Sequence, residues 1–211
     1  VKKGRSKAIR YWRNSLYETK LGLWELSPAM KLILTAVLSL IAAIFQSAGG
    51  YMPGIGFFVS AMATLPLFLA TVVSVRQGFL SYLVTILLLL VIQPSELLIF
   101  TFTTGLLGWA IGFCFRKLKI RFLVVSLAGA TLFMGIFTLL FIFHFPVLGP
   151  GVGTSFQFGP LLLVAIFSFL YAWMAAEACS FVLKRLLCAL PEKVIKSVST
   201  DGSVSRKHVE K

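Results

Sequence analysis

The sequence predicts an all-α, polytopic membrane protein with six transmembrane helices and both termini in the cytoplasm. Three observations carry that expectation. Composition is the first: 58% of the 211 residues are hydrophobic, 20 are Phe and only 7 are acidic. A soluble domain of this length has no interior large enough to hide so much apolar surface. The second is the stretch 97–121, LLIFTFTTGLLGWAIGFCFRKLKIR, which is uncharged as far as Phe115 and then turns basic. An uncharged run of about 19 residues covers roughly 30 Å as a helix, the thickness of a bilayer core. The third is the placing of charge. All 20 Lys and Arg lie in residues 1–31, at Arg76, in 116–121 or from Lys184 onward. Six spans with the N-terminus inside leave no basic residue in an outer loop, as the positive-inside rule requires.

Each element follows in order. Residues 1–28 read as a basic cytoplasmic or interfacial arm. Its Ile9, Trp12, Leu16 and Leu23 recur at roughly helical spacing, and a disordered arm is the competing reading. A cleaved signal peptide is disfavoured by the long polar lead and by Gln46-Ser47-Ala48. The membrane domain occupies 29–190. Ser27-Pro28 combines a capping hydroxyl with a proline at the first helical position, so the first span opens there and runs over 29–48. Its stripe Ser39, Ala43 and Ser47 is small enough to admit a neighbouring helix. The uncharged Gly/Pro loop 49–56 folds over the outer face. The second span, 57–75, is kinked by Pro66. Arg76-Gln77-Gly78 makes an inner turn, and the third span, 79–92, is short.

The fourth span is the uncharged run 97–115, with Gly105, Gly108 and Gly112 as a small-residue seam. A fifth follows over 122–143. A second uncharged outer loop leads to the sixth, 161–183. The tail 191–211 is polar and reads as disordered in the cytoplasm.

Polar groups are sparse. Glu177 falls in the inner third of the sixth span, where an ion pair with Arg76 or with the 116–121 cluster competes with proton coupling as its role. Glu96 opens the fourth helix, where the helix dipole favours a carboxylate. It is either a capping group or a ligand contact. Gln46, Tyr51, Gln93, Thr101, Thr104, His144 and Gln157 map to the same outer third, a set able to line a pocket for a small organic molecule. No metal site is expected: His144 and His208 lie in opposite compartments, and Cys114, Cys179 and Cys188 lack ligand spacing. Enzyme motifs are missing, so neither catalysis nor a cofactor is expected. The charge of +13 is distributed between apolar runs, which points to anionic lipid headgroups and topology and not to nucleic acid.

A short chain of six spans with both ends inside, the stripe on the first helix, the Gly/Pro loop after it and the segment YMPGIGFFVSAMATLPLFLATVVSVRQGFLSYLV together resemble the substrate-binding (S) components of energy-coupling factor transporters. The resemblance covers roughly 29–190. It implies a subunit in the cell membrane that binds a vitamin or similar micronutrient in its outer half. It also implies docking on a transmembrane coupling subunit driven by ATPases. In that family docking uses AxxxA on the first helix, so Ser39, Ala43 and Ser47 are the matching positions here. The rival expectation is a six-span scaffold or regulator that carries no solute, its outer third packed with Phe.

Overall fold

The structure, a computed structural model, describes residues 27–52, 54–118, 120–142 and 158–189. The N-terminal arm, the 144–157 loop with His144 and Gln157, and the polar tail all lie outside the described residues. Within them every regular element is an α-helix. These are α1 (Pro28–Tyr51), α2 (Ile55–Ala61), α3 (Thr64–Val73), α4 (Val75–Ile92), α5 (Pro94–Phe102), α6 (Thr104–Lys117), α7 (Arg121–Phe141) and α8 (Phe158–Ala189). They combine into six spans long and apolar enough to cross a membrane, with α2–α3 and α5–α6 each forming one span. The chain is a multi-pass membrane protein.

The spans alternate in direction between a basic end and the end that holds Glu96. The expected start is present: Met30 N donates to Ser27 Oγ at 3.3 Å, with Pro28 in the first turn. At the other end α1 runs on to Tyr51, and the chain reverses at Gly54, whose φ of 81° is the left-handed backbone that glycine permits.

Three expectations change. The second span is not merely kinked but split. Pro66 has no N–H, and the backbone passes through tight i→i+3 bonds, Ala63 N to Ser60 O and Leu65 N to Met62 O, across the start of α3. The third span is longer than expected, because Arg76-Gln77-Gly78 is helical and the turn consists of the single extended residue Ser74 (φ −159°, ψ 140°). The fourth span is also split, at Thr103, where φ −119° and ψ −89° separate α5 from α6.

The split spans form the centre. Each is 56% buried along its apolar window, against 22–28% for the first, third and sixth spans. The α6 seam carries the expected role: a Cβ on Gly108 would stand 2.7 Å from Thr64 O, and one on Gly112 2.5 Å from Thr71 Cβ. Glycine there lets α6 lie directly on α3. Around this pair, Phe68, Leu107 and Ile111 pack with Val124 and Leu132 of α7 and Ala172 and Cys179 of α8. A second cluster, Ala42, Ala63, Leu67, Leu89 and Phe100, ties in α1, α4 and α5.

Candidate binding site

Glu96 lies in the first turn of α5 and is 7% exposed. Gln46, near the end of α1, is fully buried beside it, and its Nε2 donates to Glu96 Oε2 at 2.9 Å. Thr104, the first residue of α6, donates from Oγ1 to Gln46 Oε1 at 2.7 Å. The two bonds fix the amide, since only its oxygen can accept from Thr104 and only its nitrogen can donate to the carboxylate. The glutamine therefore joins α1 to both halves of the split fourth span. Among the described residues Glu96 Oε1 receives no hydrogen bond. A Cβ on Gly49 would stand 3.2 Å from the Glu96 carboxyl atoms, so the glycine pair ending α1 is what lets the carboxylate sit this close to the backbone.

The other expected contacts are placed differently. Tyr51 is 65% exposed, and its hydroxyl donates to Ile92 O at 3.4 Å. Gln93 Nε2 donates to Ser95 Oγ at 3.0 Å. The Thr101 hydroxyl donates back to Leu97 O at 2.7 Å. Of the expected set, Gln46, Glu96 and Thr104 converge, Tyr51, Gln93 and Thr101 do not join them, and His144 and Gln157 lie outside the described residues.

The α1 stripe faces inward. Ser39 and Ala43 are fully enclosed by the chain and Ser47 is buried, so as folded here they offer no surface to a partner. Their small size is used inside the bundle, where α4 approaches to hydroxyl contact. The Ser39 and Ser81 hydroxyls are 2.8 Å apart, and Thr85 Oγ1 donates to Ser39 O at 3.3 Å. One turn away, Thr35 Oγ1 donates to Gln77 Oε1 at 2.8 Å.

The sequence reading missed a supporting group. Tyr82 of α4 donates its hydroxyl to Thr101 O at 2.9 Å, satisfying a carbonyl next to the break in the fourth span. The signal was a phenol in an apolar run, since such a group needs a partner in lipid. Phe102 O, at the same break, leans on Gly135 of α7, where a Cβ would lie only 1.8 Å from it.

At the basic end, Arg121 Nη1 meets Glu177 Oε1 at 2.9 Å, so of the two partners expected, Arg76 or the 116–121 cluster, the cluster supplies this ion pair. Arg116 Nη1 donates to Val72 O and Val73 O at 2.6 and 3.1 Å, placing a cation on the carbonyl end of α3. Among the described residues no three His, Cys, Asp or Glu gather as metal ligands would.

No protein-family model matches the chain, and no curated protein or solved structure matches it at a significant level.

Proposed function

We propose that the chain is the membrane-embedded substrate-binding subunit of an uptake transporter for a micronutrient-like small organic molecule. Both termini face the cytoplasm of a cell-membrane protein, and ATP is hydrolysed by a separate module on which this subunit docks. The observation that carries the reading is Glu96: a carboxylate enclosed by an apolar bundle, with one oxygen held by Gln46 and the other without a donor among the described residues. Ionisable groups at such places are expensive and are retained for function. Its setting adds support. Two spans are broken, and membrane proteins tolerate interrupted helices where backbone is shielded by protein or lines a solute site. The resemblance of residues 29–190 to the S components points to the same class.

A second reading has its own observation. Gln46 is fully buried and both ends of its amide are engaged within the chain, as in a structural clasp. On that reading the chain is a scaffold that carries no solute.

The test is affinity capture of the tagged full chain from its native membranes in mild detergent. Recovery of a membrane coupling subunit with one or two ATPases is the expected result. Recovery of the chain alone, or with unrelated cytoplasmic proteins only, overturns the transporter reading in favour of the scaffold. With the module in hand, Glu96→Gln is expected to reduce uptake without lowering membrane abundance.

A further inference from the structure

Away from the Glu96 network, a crevice opens between the break in the second span and α8. It has about 250 Å³ of room and is lined by Phe58, Met62, Thr64, Leu65, Tyr171 and Met174 among others, almost all apolar. Phe58 is 80% exposed and Met174 68% exposed, so its mouth is at the lipid-facing surface. Thr64 is half-way along the Ile55–Val73 span, which puts the crevice at mid-depth in the bilayer.

One polar atom sets this crevice apart. Thr64 is 2% exposed and its Oγ1 has no hydrogen-bond partner among the described residues. Every other buried Ser or Thr hydroxyl among them is bonded, most often to the carbonyl four residues back. Thr64 follows directly on the helix break. The carbonyl four residues back belongs to Ser60, which accepts from Ala63 N instead. The Tyr171 hydroxyl is the group that faces Thr64 Oγ1, in a polar contact too loose to make a full hydrogen bond. Two loosely paired hydroxyls thus lie just behind the apolar lining of the crevice, at a depth where an unmet polar group is costly.

We propose that this crevice binds a membrane-soluble apolar molecule carrying one hydrogen-bonding oxygen, entering sideways from the lipid, with its oxygen on Thr64 and Tyr171. A bilayer phospholipid does not meet this description, because its ester oxygens stay at the headgroup boundary while its tails have no polar atom. The proposal stands apart from the Glu96 reading and survives its failure.

The test uses the purified full chain in phosphatidylcholine nanodiscs and three diazirine probes: hexadecanol, hexadecane and phosphatidylcholine itself. Labelled residues are mapped by peptide mass spectrometry. The alcohol is expected to label the Met62–Leu65 and Tyr171–Met174 segments saturably, with competition by plain hexadecanol. Thr64→Val, which keeps the shape and removes the hydroxyl, is expected to cut that labelling about tenfold, toward the alkane level. Ala178→Phe fills the mouth from the exposed side of α8 and is expected to abolish it even if Thr64→Val folds poorly. Equal labelling by all three probes means bulk lipid occupies the crevice and overturns the proposal. So does labelling by none, the result if water alone satisfies Thr64 or a second copy of the chain covers the mouth.

Discussion

At the scale of single residues, Gln46 does the most joining. It was legible in advance only as one polar group among several in the outer third, because sequence gives depth along a helix more readily than the direction a side chain points. The pairing with Glu96 and Thr104 depends on how α1 leans against both halves of the fourth span. Glu96→Ala removes the acceptor and leaves a buried amide N–H without it, which costs about 1–3 kcal/mol. A lower Tm in detergent checks this, and Glu96→Gln, which keeps an oxygen in place, is expected to lose less. Equal loss in both variants would mean that the carboxylate's charge, and not an acceptor oxygen at that place, is what matters. Glu177 was more readable: an acidic residue near the basic end had few possible partners, and Arg121 meets it. The Glu177 side chain is 41% exposed, so the bond is weak and solvent-screened. Arg121→Gln is expected to lower stability by about 1 kcal/mol or less, and the exchange Arg121→Glu with Glu177→Arg to recover part of it. A thermal-melting double-mutant cycle with zero coupling would show that the pair contributes nothing.

At the scale of elements, the two breaks differ in how they are encoded. Pro66 announces the first, because its missing N–H and its ring disturb the preceding turn wherever it sits. The second, at Thr103, has no proline and was read as one continuous helix. It is held by groups distant in sequence: Tyr82 on the Thr101 carbonyl and Gly135 against the Phe102 carbonyl. Hydropathy carries no trace of such support, since the uncharged run passes through the break without interruption from Leu97 to Phe115. Tyr82→Phe removes the hydroxyl and keeps the ring that stacks on Phe100 at 5.9 Å. The expected effect is a stability loss of about 1 kcal/mol with faster amide exchange confined to the segment around Thr103. Unchanged exchange there would show that Gly135 and the surrounding packing hold the break without the phenol.

At the scale of the whole molecule, the number of spans and their alternation were legible because the bilayer imposes them: apolar length sets each crossing and the charges mark its ends. The choice of neighbours was not. In lipid no hydrophobic driving force pulls one helix to another, so pairing follows close packing of small residues and hydrogen bonds between helices. The glycines of α6 and the hydroxyls of α1 hinted at contact faces without naming α3 and α4 as the partners. Direction across the membrane rests on charge alone. An even number of crossings places Ser27 and the end of α8 on one side, and the positive-inside rule predicts from the basic clusters that this side is the cytoplasm. Single cysteines introduced after Cys114, Cys179 and Cys188 are replaced by Ala provide the check. In intact cells a membrane-impermeant maleimide is expected to label Met52→Cys and Gln93→Cys, and to reach Ser27→Cys and Leu118→Cys only after permeabilisation. The opposite pattern would invert the molecule and put Glu96 on the cytoplasmic side, where an uptake subunit cannot collect its solute. Labelling of all four before permeabilisation would mean that the six helices do not all cross.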